Sequence, residues 1–289
     1  MRPFAYARPE TLDELFELLA RHGKEAKLLA GGTDLVAQMR IGRAAPRMVI
    51  DLKQVAGLSP RIVEAGSRLR VGALAILTSV IGDERVRRGF PALVEAAGVV
   101  GSVQIRNRAT LTGNICNASP VADTAPALLA YGAIVNIVGA GGARSVPVEE
   151  FFTGPGTTLL GPAEIVESID LPIPGTRVGA AFGRVTRRRG VDLATVNLCC
   201  VVRPSGLTRF AFGAVGPRPF VVEDDSGVLT APHAPAADRD AALLRRIAGA
   251  RPISDVRWSA EYRRAMLLVM GRRTLRTALD RMQGNGERT

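Results

Sequence analysis

The chain has 289 residues, 47% hydrophobic and 22% charged, enough for two or three globular units and with no low-complexity block. The net charge is +11 and comes from arginine, since only Lys24, Lys27 and Lys53 are lysines. Aromatics are 4% of residues, and the tight clusters Arg187-Arg188-Arg189 and Arg272-Arg273 lie far apart, so no nucleic-acid surface is expected.

The opening residues MRPFAYARPE hold no apolar segment of signal-peptide length, and runs such as Leu198–Val202 are too short to span a bilayer. The expectation is a cytoplasmic protein with no membrane span. Thr11-Leu-Asp-Glu14 is a capping box, and Leu12, Leu15, Phe16 and Leu19 recur at helical spacing until Gly23. Lys27 to Ala30 reads as a buried strand ending at Gly31-Gly32, and Met48 to Leu52 as another. Ile62–Val63 and Leu69–Val71 read as a hairpin with Ser67 near its turn. Pro91 to Val100 is a helix with Leu93, Val94 and Ala97 inward. Ala133 to Val138 and Ser145 to Val148 are paired strands around the glycine turn 139–142.

Leu171-Pro-Ile-Pro-Gly175 marks a boundary, because proline and glycine break both regular structures. Beyond it, Ala180 to Thr186, Leu193 to Val202 and Arg209 to Val215 are strands joined by short turns. Helices follow at Ala237 to Ala248 and Ser259 to Met282. Strands followed by helices argue an α+β unit.

Cys116, Cys199 and Cys200 have no C-x-x-C spacing, so this chain offers no cluster or zinc ligands and reads as carrying three buried, reduced thiols. Cys199 and Cys200 should face opposite sides of a strand. His22 ends a helix and His233 sits in a Pro/Ala-rich loop. Asp224-Asp225 reads as a solvated turn and not as a metal site.

Two stretches carry chemistry. LLAGGTDL (28–35) spends two glycines after an apolar run, where a turn needs one, which suggests a close approach to the backbone. QIRNRATLTGNICNASPVADTAPALLA (104–130) gathers Thr110, Thr112, Gly113 and Asn114, then Asp123. Small hydroxyl and amide residues beside glycine present donors to phosphate oxygens. Two such loops could hold a diphosphate between them, although a plain strand–turn–helix would also account for the first. Neither fits the Walker pattern or G-x-G-x-x-G.

Together the two stretches resemble the FAD-binding subunit of molybdenum hydroxylases, the family of xanthine dehydrogenase flavin domains and carbon monoxide dehydrogenase medium subunits. RVTRRRGVDLATV (184–196) and SAEYRR (259–264) extend the resemblance over nearly the whole chain. It implies an α+β protein with a two-lobed FAD-binding domain of the PCMH/vanillyl-alcohol-oxidase type over 1–175. The lobes would span roughly 1–55 and 56–175, with a smaller α+β C-terminal domain over 176–289.

The same resemblance implies a set of cofactor contacts. Leu29, Ala30, Gly31, Gly32, Thr33, Asp34 and Leu35 would wrap the FAD pyrophosphate, with Gly31 and Gly32 letting the backbone approach. Thr110, Thr112, Gly113 and Asn114 would contact the diphosphate and flavin side. Asp123 would accept from cofactor hydroxyls, Val100 would line the flavin region, and Val166 would lie near the adenine. Arg184 stands where the family often has lysine. Thr112 replaces a usual glycine, which would be strained if that position needed positive φ and could add a phosphate contact if it did not.

The implied function is electron transfer. A large subunit would hold the molybdenum cofactor and a small subunit two 2Fe–2S clusters, in a dimer of heterotrimers. Non-covalent FAD in this chain would pass electrons to NAD, a quinone or oxygen. A stand-alone flavin oxidoreductase and an assembly subunit without FAD are the alternatives.

Overall fold

The computed structural model describes residues 1–188 and 190–284; Arg189 of the arginine cluster and the last five positions of the expected C-terminal domain lie outside the described residues. The chain begins with β1 (Ala5–Ala7), α1 (Leu12–His22), β2 (Ala26–Leu29), α2 (Leu35–Arg40) and β3 (Met48–Asp51). The three strands make a parallel sheet in the order β1-β3-β2. The capping box forms, with Thr11 Oγ1 accepting from the Glu14 N–H at 3.2 Å. Glu14 reaches one residue further back than expected and accepts from the Glu10 N–H. Gly23, at φ 49°, ends the helix. Leu15, Phe16 and Leu19 pack against Met48 and Ile50, so the helical stripe closes one side of the sheet. Each such fully buried side chain stabilises the lobe by about 1.5–3 kcal/mol. Lys27 faces solvent and Leu28 to Ala30 are half-buried, so β2 is a partly covered edge strand and not the buried strand expected.

The second unit opens with β4 (Ile62–Ala65) and β5 (Arg68–Gly72), hairpinned about Gly66 at φ 61°. Six short helices follow: α3 (Leu77–Gly82), α4 (Glu84–Gly89), α5 (Pro91–Gly98), α6 (Val103–Arg106), α7 (Leu111–Cys116) and α8 (Thr124–Tyr131). Every side chain of α8 is buried, as its TAPALLAY sequence demands. Then come β6 (Ile134–Gly139), β7 (Gly142–Pro147), α9 (Val148–Phe151), the small pair β8 (Phe152–Gly154) and β9 (Thr157–Thr158), and β10 (Glu164–Pro172). The antiparallel sheet has the order β4-β5-β10-β6-β7.

Its central strand, β10, was not foreseen. The segment EIVESIDLP places Ser168 and Asp170 indoors, which breaks the apolar pattern. Neighbouring strands supply the partners: Arg70 binds Asp170 through two bonds of 2.8 and 3.0 Å, and Asn136 donates to Ser168 at 2.9 Å. Leu171 and Pro172 are thus the end of this strand, and the interruption between units runs from 173 to 178.

The third unit is an antiparallel sheet, β11 (Gly179–Val185), β12 (Val196–Val202), β13 (Thr208–Gly213) and β14 (Phe220–Asp224), with α10 (Ala236–Ile247) and α11 (Ala260–Gln283). β12 begins later than expected, since Val191 and Leu193 are exposed in the loop before it. Every residue of β12 is buried because the sheet is covered on both faces. Cys199 and Val201 join the helical core of the second unit, whereas Leu198, Cys200 and Val202 pack with α10 and α11 residues such as Leu243 and Leu267. The two adjacent cysteines therefore do face opposite ways. β14 was unforeseen, and Asp224 at its end corrects the expectation of a solvated turn. Asp224 is buried, accepts from Ser226 and is paired with Arg246 at 2.8 Å. Among the described residues no helix is long and apolar enough to cross a membrane.

Candidate cofactor site

The first loop leaves β2 after Leu29. Gly32 adopts φ 72°, the left-handed region that a β-carbon disfavours, and its carbonyl accepts from the Val36 N–H to start α2. Among the described residues, no protein acceptor engages the N–H groups of Gly32, Thr33 and Asp34. Successive free amides of this kind attract anions. The Asp34 carboxylate is held by the Gln38 amide and does not cap α2. A groove of about 430 Å³ runs beside the loop, lined by Gly31, Gly32, Thr33, Val36, Ala37, Arg40 and Ile41.

Behind the loop, Lys53 Nζ lies 2.7 Å from Asp51 and 3.5 Å from the Ala30 carbonyl, and Tyr6 donates its hydroxyl to Asp51. Burial pushes the Asp51 carboxyl up, but the hydrogen bonds from Lys53 and Tyr6 outweigh it and hold the group below its usual range.

What approaches Gly31 is protein. A β-carbon there would fall 2.8 Å from the carbonyl carbon of Arg108 and 2.9 Å from the Cα of Ala109. The first loop is thereby seated on the chain entering the second. Thr110 then caps α7, its Oγ1 accepting from the Gly113 N–H at 2.9 Å. Gly113 is exposed, and Asn114 accepts from the Thr124 hydroxyl at 2.6 Å, tying this loop to the start of α8. Thr112 lies inside α7 and is not among the positive-φ residues, so replacing the usual glycine costs no backbone strain. Among the described residues its buried hydroxyl has no protein partner. Such an orphan costs about 1–3 kcal/mol unless a ligand meets it.

Asp123 immediately precedes Thr124. Its two oxygens accept from Arg184 Nη1 at 2.8 Å and Asn197 Nδ2 at 2.9 Å. Burial raises its pKa, with Asn197 and Arg184 opposing. Arg184, near the end of β11, brings the third unit's cation to this point. Val100 packs against the second unit's core, and its carbonyl accepts from Arg106 at 3.1 Å. Val166 sits at a bulge in β10 with its side chain in the core, and no polar side-chain contact ties it to the other candidates among the described residues.

The structure thus draws 29–35, 110–114, Asp123 and Arg184 into one chain of contacts. It adds Asn197, Thr124, Lys53, Asp51 and Tyr6, which sequence reasoning missed. A polar residue in an apolar strand was the available signal for two of them, Asn in VNLCCVV and Asp in MVID. His22 ends α1, and His233 lies in the loop before α10. Among the described residues no cluster of His, Cys, Asp or Glu is arranged to hold a metal ion. Free amides, a left-handed glycine, an unpaired hydroxyl and a buried carboxylate with its arginine fit a dinucleotide bearing a diphosphate and sugar hydroxyls.

Residues 2–174 match the family model described as the FAD-binding domain in molybdopterin dehydrogenase, and residues 181–278 match the carbon monoxide dehydrogenase flavoprotein C-terminal domain. The chain is 33% identical over 282 residues to the carbon monoxide dehydrogenase medium chain of Hydrogenophaga pseudoflava, covering 96% of this chain and 98% of the relative. It is 35% identical over 221 residues to the xanthine dehydrogenase FAD-binding subunit of Escherichia coli O157:H7, covering 75% of each. Among solved structures, a chain of the Hydrogenophaga pseudoflava carbon monoxide dehydrogenase that lacks the Mo-pyranopterin moiety superposes with a TM-score of 0.89. That pair is 32% identical, with 97% of this chain and 99% of the other covered. A chain of quinoline 2-oxidoreductase from Pseudomonas putida 86 superposes at 0.84 with 26% identity, covering 99% of both.

Proposed function

The chain belongs to the family of FAD-binding subunits of molybdenum hydroxylases, and from that premise we propose that it is the electron relay of such a complex. The observation that carries the reading is the seating of the amide-lined first loop on the chain entering the second, through Gly31 and Arg108–Ala109. In this reading residues 1–175 bind FAD non-covalently and the remainder supplies Arg184 and Asn197. Gly32, Thr33 and Asp34 offer amides to the diphosphate, Thr112 offers a hydroxyl, and the Asp123–Arg184 pair meets the cofactor's sugar hydroxyls. Leu29, Ala30, Leu35, Thr110, Gly113, Asn114 and Val100 complete the shell, and Val166, its side chain in the core, would meet the adenine end through its backbone.

Flavin accepts electrons singly and releases them as a pair, which suits a carrier between iron–sulfur clusters and a two-electron acceptor. A large subunit with the molybdenum cofactor and a small subunit with two 2Fe–2S clusters are the partners, in a cytoplasmic dimer of heterotrimers. NAD, a quinone or oxygen receives the electrons.

Rapid mixing of the complex, stripped of flavin, with the holoenzyme's substrate tests the division of labour. Clusters should bleach at the normal rate while acceptor reduction is lost. Loss of bleaching, with all subunits and metals retained, would place substrate oxidation partly on this chain and overturn the relay assignment.

A further inference from the structure

Arg263 lies in α11 and is only 2% exposed, whereas its neighbour Arg264 faces water. A buried guanidinium is costly unless its donors are met. Nη1 donates to the Thr195 carbonyl at 2.6 Å and to the Ala214 carbonyl at 3.4 Å, and Nη2 donates to Asp255 at 2.9 Å, while Nε has no partner among the described residues. Thr195 stands just before β12 and Ala214 just after β13, at the end of the ladder where Asn197 pairs with Gly213. One side chain therefore clamps the ends of two adjacent strands.

Both strand ends reach the same target. Two residues beyond Thr195, Asn197 donates to Asp123 at 2.9 Å and to the Ala122 carbonyl at 3.4 Å. Ala214, held at φ 61° without being glycine, donates its N–H to the Pro120 carbonyl at 2.8 Å. Between them, Gly213 leaves the space that the Asn197 side chain occupies; a β-carbon there would lie 3.2 Å from Asn197 Cγ. The segment 120–123 is thus fixed at both ends by strands that Arg263 joins.

We propose that Arg263 is a positioning residue for the cofactor site, acting through Asn197 and Ala214 to hold the Asp123 carboxylate in place; this rests on the FAD reading above. The clamp makes α11, remote in sequence from both glycine loops, part of the support for cofactor binding. Asp255 is its counter-charge, and it also binds Arg257 at 2.9 Å and caps the Arg257 and Trp258 amides. That arrangement keeps the Asp255 carboxyl well below its usual range in spite of burial.

The test titrates FAD into the full-length flavin-free wild type and into Arg263→Met, Arg263→Lys, Asp123→Ala and Arg263→Met/Asp123→Ala, following flavin fluorescence. Arg263→Met should weaken binding about tenfold, and the double variant should bind no worse than Asp123→Ala alone. Arg263→Lys keeps a cation but not the fork, and should fall between wild type and Arg263→Met. Leu267→Ala, in the same helix but in the core on the far face of the sheet, serves as a control that lowers melting temperature and leaves affinity unchanged. Additive losses in the double variant, an equal affinity loss in Leu267→Ala, or unchanged affinity in both Arg263 variants would overturn the proposal. Should Arg263→Met not fold, Arg263→Lys with its own Asp123→Ala double carries the same comparison, and failure of both to fold would assign Arg263 to folding and overturn it too. Absence of FAD binding by the wild type is a separate result, which would remove the cofactor reading itself.

Discussion

The peptide of Arg108 occupies the space that a side chain on Gly31 would need. Gly32, the next residue, is glycine for a different reason: it sits at φ 72°, and the first atom a β-carbon would meet is the flexible tip of Leu29. One glycine lets two protein segments touch, and the other turns the chain so that three amides have no protein acceptor among the described residues. Substitutions at the two should therefore separate lobe assembly from ligand binding.

Gly31→Ala should cost about 1–3 kcal/mol of stability without any cofactor, because backbone and not a movable side chain blocks the new carbon. Gly32→Val should leave most of the fold intact, at about 1–2 kcal/mol of backbone strain, and weaken FAD binding by tenfold or more. Urea unfolding of the apoprotein reads the first and FAD titration reads the second. An unchanged dissociation constant in Gly32→Val would sink the pyrophosphate assignment of this loop.

Thr112 offers a sign reversal. In the apoprotein its hydroxyl is buried with no partner among the described residues, so isosteric Thr112→Val should hold or raise the melting temperature. If the hydroxyl reaches a cofactor oxygen, the same change should weaken FAD binding several-fold, matching the ~1 kcal/mol of one hydrogen bond. Thr112→Ser should keep affinity near wild type. A stabilised Val variant with full affinity would show that the hydroxyl contacts no cofactor.

Much of this was legible in the sequence, and the limits have physical causes. α1 was readable to within a residue because its capping box, apolar stripe and terminal glycine agree. The strand β10 was not, because Ser168 and Asp170 are made tolerable by Arg70 and Asn136, residues far away in the chain that no local pattern can reveal. The two loops were located by their small residues. Their mutual contact was hidden, since it depends on where the backbone of Arg108 runs. Asn197 and Arg263 act over 74 and 68 residues of sequence separation, and only tertiary structure brings them to Asp123 and Thr195.

The thiols should be inert in the native state. Cys199 and Cys200 are fully buried, whereas Cys116 is only half-buried, which corrects the expectation of three buried thiols; the burial it has still pushes its thiol up to about 12. A thiol raised in this way is scarcely ionised at pH ~8, and the thiolate is the reactive form. A disulfide-exchange dye should report no fast thiol on the folded chain and three after denaturation. One fast-reacting thiol in the native protein would mean that Cys116 lies in a more open or more electropositive setting.

At Asp123, stability and affinity should respond to pH with opposite signs. Burial raises its folded-state pKa, so the native protein holds this proton more tightly than the unfolded chain does. In the apoprotein its contribution to stability should therefore increase as pH falls through the raised folded value, and level off below the ordinary carboxylate value. FAD binding should run the other way, because protonation removes the charge that pairs with Arg184 at 2.8 Å and accepts from cofactor hydroxyls. Affinity should decline on acidification at a pH above the ordinary carboxylate pKa of ~3.9, within a titration from about pH 8 to 4. Asp123→Asn should abolish both slopes and bind FAD weakly throughout. Asp123→Ala should cost roughly 1.5–3 kcal/mol, or tenfold to a hundredfold in affinity at neutral pH. Apoprotein melting and FAD titration across the same buffers supply both curves. A wild-type affinity that is flat with pH, or an acid limb that survives in Asp123→Asn, would show that the carboxylate of Asp123 is not what the cofactor senses.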